Sequence, residues 1–339
     1  MNPSRENLTS IFLSRSSWKN AKRTPIAGDA SSRRYERLTC CTNGTSILMD
    51  APSEDGEDVK PFIKICEYFQ KIGLSVPKIY YSDIPNGFLI LEDFGKDLFS
   101  KMLIDNPSNE LEFYINATDN LIHLYHAAPL KGLSVYNSTD MANKSLLALD
   151  WYLEYGLAEP PNCTLKTEFY KLLNASLIDV MDTPHIMVHR DFHAENLIWL
   201  NYKQDSQRVG ILDFQDTMLG HPAYDLASLL NDIRRDVSPE IKRKCLDHYL
   251  LNTNLNTEAF EYGFSVCSAQ RNLRILGVFT RLSVRDDKMH YLTFIPDVWR
   301  KLIEDLRHPA LGGLSSLIKD FFPEPNTDII QRIKKSHVS

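Results

Sequence analysis

Short apolar runs bounded by turn residues dominate the N-terminal part of the chain. Between residues 33 and 92 they predict two β-strands, then a helix over residues 57–73, then a hairpin of two more strands. In the helical stretch the apolar residues recur with helical spacing, Asp58 is placed to cap the first turn, and Gly73 is placed to end the last one. The pattern predicts a small, β-rich region with one helix.

Beyond residue 95 most apolar segments change to the period of amphipathic helices. We therefore expect an α+β protein with a small β-rich N-lobe over residues 1–92, a hinge over residues 93–95 and a large, mostly helical C-lobe over residues 96–339. A cleft between two such lobes is the usual place for a ligand.

Titratable and amide side chains are concentrated in residues 188–200, VHRDFHAENLIWL, which end in an apolar run. A second apolar run ends just before Asp213, and the polar segment between the two runs predicts a β-hairpin. A hairpin symmetric about its turn places Asn196 opposite Asp213, with Asp191 five residues before Asn196. An amide oxygen and a carboxylate side by side favour Mg²⁺, and Asp191 is then available to accept the proton of an attacking hydroxyl. This arrangement is typical of phosphoryl transfer.

The spacing of these residues resembles a known signature. Residues 189–196, HRDFHAEN, followed by Asp213 and Phe214, match the H-R-D-x-x-x-x-N and D-F motifs of the protein-kinase-like superfamily. Gln215 replaces the glycine of D-F-G, and no activation segment ending in A-P-E follows. His193 and GHPAYDLASLL, residues 220–230, are instead similar to the aminoglycoside phosphotransferase family of small-molecule kinases. The resemblance implies a bilobal protein-kinase-like fold that uses ATP and Mg²⁺.

The resemblance gives catalytic roles to four residues and structural roles to two: Asp191, His193, Asn196 and Asp213, then Arg190 and Asp225. The aspartate of H-R-D is the base or the residue that orients the hydroxyl. The asparagine of that motif and the aspartate of D-F hold Mg²⁺ between the ATP phosphates. His193 either contacts the transferred phosphate or holds the loop. Asp225 is expected to brace the catalytic loop by hydrogen bonds.

Candidate nucleotide contacts in the N-lobe come from a polar turn and from the hinge: Ser31, Ser32, Arg33, Arg34, Glu92 and Phe94. The turn offers hydroxyls and positive charge to phosphates, and the hinge matches the segment whose backbone binds a purine in kinases. The lysine that kinases carry on the third strand is missing, because Met49 and Asp50 stand there. The candidates to replace it, and the candidate glutamate partners, are Arg33, Arg34, Lys60 and Lys64, with Glu57 or Glu67. If none replaces it, the protein is a non-catalytic, nucleotide-binding pseudokinase with a regulatory role.

Several stretches are similar to one subset of the family. DASSRRYERL, LMDAPSEDGEDVKPFIKI and residues 269–302 resemble the bacterial kinases that phosphorylate the anomeric (C1) hydroxyl of N-acetylmuramate and N-acetylglucosamine in cell-wall recycling. That subset also reads MDAP where the strand lysine is expected. The resemblance implies a small-molecule acceptor, an N-acetyl amino sugar, and an α-sugar 1-phosphate as product.

Acceptor contacts are expected from a segment that offers an aromatic face and carboxylates to a sugar: Asp150, Trp151, Tyr152 and Glu154. For Trp151 and Tyr152, packing in the core of an amphipathic helix is the alternative. Arg271 and Arg274 either hold a lactyl carboxylate or form a salt bridge within the helical lobe. Other acceptors of the family stay open at this stage, of the aminoglycoside, choline, homoserine or thiosugar type.

Composition and charge limit the possible partners. The formal net charge of −6 and the isoelectric point near 5.9 argue against a nucleic-acid partner. No window approaches eighteen apolar residues, and the N-terminus lacks the apolar core of a signal peptide, so we expect no membrane partner. The six cysteines are scattered without metal-binding spacing, which is typical of reduced thiols in a cytoplasmic protein.

Overall fold

The computed structural model of the chain describes residues 4–26, 32–52, 56–181 and 183–336. The chain forms two compact units, Met1–Asn120 with Ala194–Thr217, and Leu121–His193 with Met218–Ser339. We call the first the sheet unit and the second the helical unit. The predicted hinge at residues 93–95 lies inside the sheet unit. As a division of the chain into lobes, the predicted boundaries therefore stay a prediction.

Five antiparallel strands form the main sheet of the sheet unit, in the order β1-β2-β3-β5-β4. Their bounds are β1 Lys22–Ile26, β2 Arg34–Cys40, β3 Gly44–Asp50, β4 Ile79–Asp83 and β5 Phe88–Glu92. Strands β2 to β5 confirm the predicted strands and the predicted hairpin. Strand β5 is an inner strand whose apolar residues, Phe88 to Leu91, are all buried. This explains why it reads as a continuous apolar run instead of an alternating one.

Two helices accompany the sheet, α1 Arg5–Ser14 and α2 Val59–Lys71. The caps predicted for α2 are confirmed, since the Asp58 side chain accepts a hydrogen bond from the Lys60 amide and Gly73 follows the helix with a φ of 90°. Helix α1 and strand β1 were not predicted. Strand β1, KRTPI, is exposed or half-buried along its length, so it carries no apolar pattern that sequence reasoning can detect.

Helix α3 Phe99–Asp105 and the hairpin of β7 Leu197–Trp199 and β8 Val209–Ile211 complete the sheet unit, together with the first part of α4 Glu110–His126. The hairpin pairs Leu197 with Ile211 and Trp199 with Val209. This register places Asn196 opposite Leu212, whose amide donates to the Asn196 carbonyl at 2.9 Å. The prediction that Asn196 lies opposite Asp213 is therefore wrong by one residue. The strands end one residue earlier than predicted, and the connecting loop contains a 3₁₀ turn.

Within the described part of the chain, the helical unit is built from the second part of α4 and from nine further α-helices: α5 Ser138–Ser145, α6 Glu154–Leu157, α7 Cys163–Met181, α8 Ala223–Leu230, α9 Pro239–Thr253, α10 Thr257–Val284, α11 Ile295–Asp305, α12 Gly312–Phe321 and α13 Thr327–Lys335. A short ladder of β6 Ile186–Val188 and β9 Met218–Gly220 precedes the loop that carries Asp191. A small antiparallel-sheet lobe and a large helical part confirm the predicted α+β, protein-kinase-like fold class.

Helix α10 runs through the core of the helical unit, and seventeen of its 28 residues are buried. It lies against a π-helix, Ala148–Leu153, at Gly277. A Cβ at position 277 would lie 2.2 Å from the backbone carbonyl carbon of Leu147, so only glycine permits this contact. Among the residues described here, no helix is long and apolar enough to cross a membrane.

Candidate active site

The loop before Asp191, in the helical unit, is held by Asp225 of α8. The Asp225 carboxylate accepts hydrogen bonds from the backbone amides of His189 and Arg190, at 2.5 and 2.8 Å. Arg190 has a φ of 78°, in the left-handed region that non-glycine residues rarely adopt. Its guanidinium lies over the ring of Tyr136, 4.9 Å from the centroid. A carboxylate and an aromatic ring therefore keep the loop in a strained conformation, as is common at functional sites.

Asp191 lies beside two arginines of α10. Burial by itself would raise the pKa of the Asp191 carboxyl, but Arg274 and Arg271, with smaller contributions from two histidines, outweigh it and lower the pKa to about 2. The carboxylate is consequently ionised at physiological pH. Arg274 and Arg271 thus place positive charge next to this carboxylate.

His193 is buried two residues after Asp191. Burial lowers the pKa of its imidazole to about 4, and the two aspartates that raise it are opposed by two arginines that lower it. The ring is therefore neutral near pH 7, and its Nδ1 has no hydrogen-bond partner among the described residues. Of the two roles predicted for His193, a neutral and buried ring favours holding the loop.

Asp213, in the sheet unit, follows β8 and is oriented by the residue after it. Phe214 is fully buried and packs against Phe62 and Phe69 of α2, with ring centroids 4.7 and 5.9 Å away. Asp213 itself has a φ of 56°, and its side chain is 48% exposed. The Gln215 amide donates to Asp213 Oδ1 at 2.8 Å. Sequence reasoning noted Gln215 only as a departure from D-F-G and did not identify it as a partner of the carboxylate.

Arg33 brings the polar turn, the segment just before α2 and Asp213 together in the sheet unit. Arg33 Nε donates to Glu57 Oε2 at 2.8 Å, and its Nη1 lies 3.9 Å from Asp213 Oδ1. Ser32 donates to the other Glu57 oxygen at 2.9 Å. Burial would lower the pKa of Arg33, but Tyr35, Glu57 and Asp213 outweigh burial and raise it. Of the predicted cation and glutamate candidates, the structure pairs Arg33 with Glu57.

The positions of the other residues predicted to contact the nucleotide do not test that role. Ser31 lies outside the described residues, and Arg34 is the exposed first residue of β2. Phe94 is buried against Ile198 and Leu200. The Glu92 amide donates to the Lys78 carbonyl at 2.8 Å. Their contacts with a nucleotide stay predictions.

The residues predicted to hold Mg²⁺, Asn196 and Asp213, both lie in the sheet unit. Asn196 ends a 3₁₀ turn directly before β7 and is half-buried. The two side chains offer an amide oxygen and a carboxylate, the hard oxygen donors that Mg²⁺ prefers, and the exposure of Asp213 leaves room for water and phosphate ligands. The donor set therefore fits the ion. Among the described residues, no group of three or more His, Cys, Asp or Glu side chains forms a metal site.

The predicted acceptor residues lie on the π-helix Ala148–Leu153 and at the start of α6 in the helical unit. Tyr152 is fully buried, and its hydroxyl donates to the Pro323 carbonyl at 2.7 Å, which gives it a packing role. Asp150 is paired with Lys166 at 2.5 Å. Trp151 is half-buried and stacks on Tyr155 at 5.5 Å. Glu154 begins α6 and is half-buried. Contacts of these residues with an acceptor stay predictions.

Comparison with known proteins identifies the class. Residues 22–260 match the model of the phosphotransferase enzyme family (APH), and because this is more than half of the chain, the chain belongs to that family. The protein is thus a small-molecule kinase, a phosphotransferase enzyme, and the predicted resemblance is confirmed. A kinase of this family requires a phosphoryl donor, which the family implies is ATP.

Two relatives of this chain share one name, and one solved structure has a similar fold. An N-acetylmuramate/N-acetylglucosamine kinase of Caulobacter vibrioides is 32% identical, and the alignment covers 94% of this chain and 97% of the relative. A protein of the same name from Pseudomonas aeruginosa is 28% identical, with 88% of each chain covered. Among solved structures, a choline/ethanolamine kinase family protein from Mesorhizobium loti has a TM-score of 0.63 at 10% identity, covering 98% of this chain and 99% of that one. At this identity the last comparison shows the fold alone.

Proposed function

We propose that this protein transfers the γ-phosphoryl group of ATP to the C1 hydroxyl of N-acetylmuramate or N-acetylglucosamine. The relatives that carry this name align over nearly the whole chain. The observation that carries the proposal is the pair of arginines beside Asp191, because it distinguishes between classes of acceptor. Aminoglycosides and choline are cations, and a cation next to Arg271 and Arg274 would be repelled. A neutral or anionic sugar suits this site.

Asp191 is the residue that orients the attacking hydroxyl and receives its proton. A carboxylate with a pKa of about 2 is a weak proton acceptor, so it suits a hydroxyl that is readily deprotonated. The anomeric hydroxyl of a sugar is more acidic than an ordinary alcohol. Asp225 supports this role because its hydrogen bonds to the loop keep Asp191 in one position.

Asn196 and Asp213 are the residues that would hold Mg²⁺ at the phosphates of ATP. The ion would neutralise negative charge on the phosphates as the γ-phosphoryl group is transferred. Gln215 and the buried Phe214 keep the Asp213 carboxylate in place.

Arg33 takes the part of the missing strand lysine. Its ion pair with Glu57 and its 3.9 Å approach to Asp213 put a positive charge next to a predicted Mg²⁺ ligand. This supports a catalytic protein against the pseudokinase alternative. Ser32 donates a hydrogen bond to the same glutamate, so the polar turn is joined to the segment just before α2. We place the reaction in the cytoplasm, where ATP is available and the six free thiols stay reduced.

Phosphorus NMR of the purified protein with ATP, Mg²⁺ and either sugar tests the proposal. We expect the signal of a sugar 1-phosphate with the wild type and none with Asp191→Ala. Asp305→Asn, a change at another buried carboxyl of the helical unit, is the matched control and should give the wild-type signal. ATP binding without any sugar phosphate would refute the sugar assignment. A signal that persists in Asp191→Ala would refute the role of Asp191.

A further inference from the structure

Three arginines of α10 and the arginine that caps its C-terminus lie on one face of the helix: Arg271, Arg274, Arg281 and Arg285. Their spacings of three, seven and four residues match whole turns of an α-helix. Their exposure rises along the helix, since Arg271 is 3% exposed, Arg274 and Arg281 are half-buried, and Arg285 is exposed. The face therefore forms a row of positive charge that begins beside Asp191 and ends at the solvent.

Carboxylates lie beside both ends of this row. Asp191 lies beside Arg271 and Arg274, and Asp286 accepts two hydrogen bonds from Arg285. Arg281 stands between these two groups. Its Nε is buried and has no hydrogen-bond partner among the described residues. A buried charged group without an acceptor costs free energy that a bound anion would recover.

The electrostatic environment of Arg281 also favours a bound anion. Burial lowers the pKa of its guanidinium, Arg285 and Arg274 lower it further, and only Asp286 opposes them. The protein thus holds Arg281 where its charge is disfavoured in the absence of a ligand. Such an arrangement is typical of binding sites for anions.

The position of Arg281 relative to the predicted acceptor segment is fixed by Gly277. Because α10 contacts the start of the π-helix backbone to backbone at this glycine, neither element can shift without breaking the contact. Arg274 lies just before Gly277 and Arg281 just after it, and two turns, about 10 Å of helix, separate the two arginines. Arg274 connects the two ends of this face, because it acts on the pKa of both Asp191 and Arg281.

We propose that Arg281, together with Arg274, binds a carboxylate on the acceptor, so that the enzyme binds an acid-bearing amino sugar more tightly than its neutral counterpart. This inference rests on the proposed function, because it assigns the acceptor site to the face of α10. The alternative anion that Arg281 and Arg274 could bind is the transferred phosphate, which is the same for every acceptor.

N-Acetylmuramate and N-acetylglucosamine are suitable probes because they differ only in the lactyl group, which carries the carboxylate. Calorimetry would measure the affinity of each sugar for the wild type and for Arg281→Gln, with a non-hydrolysable ATP analogue and Mg²⁺ present. Steady-state kinetics would measure KM and kcat for the same pairs. Arg281→Lys keeps the charge, and Arg243→Gln, at an exposed arginine of α9 that pairs with Asp247, is the matched control.

We expect the wild type to bind N-acetylmuramate more tightly, and Arg281→Gln to raise its Kd and KM about 10- to 100-fold, as the loss of a charge-assisted hydrogen bond predicts. The values for N-acetylglucosamine should change less than about two-fold, and Arg281→Lys should recover part of the loss. Arg243→Gln should behave as the wild type. Thermal melting would show whether the variants are folded.

Two results would overturn this inference: no preference of the wild type for the acid sugar, or an equal loss with both sugars, which would indicate contact with phosphate. The proposed function is judged separately by the phosphorus NMR experiment. If N-acetylglucosamine is phosphorylated but no preference for the acid is found, the inference fails and the proposed function stands. If neither sugar is phosphorylated, the proposed function fails, and this inference, which rests on it, fails with it even where a binding preference exists.

Discussion

Two carboxyls of the helical unit, Asp191 and Asp305, show how neighbours decide the charge of a buried acid. Burial pushes the pKa of both upward. Asp305 receives hydrogen bonds from neutral donors, Ser268 at 2.7 Å and Asn272 at 2.8 Å, and its pKa is raised to about 7. Asp191 has two arginines beside it, and its pKa is lowered to about 2. Neutral donors do not offset burial here, whereas full positive charges do.

The difference shows which of the two carboxyls is kept charged. The ionised Asp191 retains its charge at the end of a strained loop, where it can attract and orient a hydroxyl. Asp305 ties α8, α10 and α11 together through its hydrogen bonds, and those bonds do not require a charge. Asp213 in the sheet unit is a third case, because it stays half-exposed beside Arg33 and can take a cation.

The largest expected effect is that of removing the charge of Asp191. Asp191→Asn should lower kcat on the order of 10³-fold, since positioning and proton acceptance are both lost. Steady-state kinetics with N-acetylmuramate and ATP would measure it. The corresponding Asp305→Asn change should leave kcat near the wild-type value. A loss smaller than about ten-fold in Asp191→Asn would show that the charged carboxyl is not the catalytic one.

Arg33→Met tests whether activity depends on the arginine beside Asp213 in the sheet unit, as it is expected to depend on the charge of Asp191 in the helical unit. We expect kcat to fall about 10²-fold, because the charge beside Asp213 is lost and Glu57 is left without its ion pair. Arg33→Lys should recover part of the activity. Lys71→Met, at an exposed lysine in the last turn of α2, is the control and should have no effect. Unchanged activity in Arg33→Met would mean that another cation replaces the strand lysine.

Arg274→Met should raise the pKa of the Asp191 carboxyl towards that of Asp305. Removing a neighbouring positive charge raises the pKa of an acid, so protonated and inactive Asp191 should accumulate as the pH falls. In the wild type a pKa of about 2 predicts no acid limb from Asp191 between pH 5 and 8. In the variant we expect kcat/KM to fall as the pH decreases from 8 towards 5, with an acid limb that the wild type lacks. Arg274→Lys keeps a charge and should show a weaker limb; parallel profiles for wild type and Arg274→Met would contradict this account.

The smallest effect on activity, and a clear effect on stability, is expected for Asp305→Asn. The folded-state pKa of Asp305, about 7, is above its ordinary value, so the folded protein keeps this proton while the unfolded chain has lost it. The Asp305 contribution to the free energy of unfolding should therefore fall as the pH rises from about 4 to about 7, by a few kcal/mol at most. Urea unfolding of wild type and Asp305→Asn across this range would show that decline in the wild type only. An equal pH dependence in both proteins would exclude Asp305 as its source.

Sequence reasoning succeeded where a feature is local. The spacing of HRDFHAEN, the cap at Asp58 and the apolar runs of β2 to β5 each depend on a few neighbouring residues, and the fold class followed from them. The hairpin was predicted correctly, but its register was not, because the 3₁₀ turn in the loop leaves no apolar pattern. Helix α1 and strand β1 were not predicted. Little of β1 is buried, so it also lacks an apolar pattern.

The sequence by itself determined the family, the order of most elements and the identity of the catalytic and metal-binding candidates, because spacing along the chain encodes them. Only the tertiary structure decided which partners these residues have. It paired Arg33 with Glu57, which is 24 residues away, and it placed arginines of α10 beside Asp191, some 80 residues earlier in the chain. Such pairings depend on how distant elements pack and on how burial strengthens each charge, and neither is written in the local pattern of one sequence.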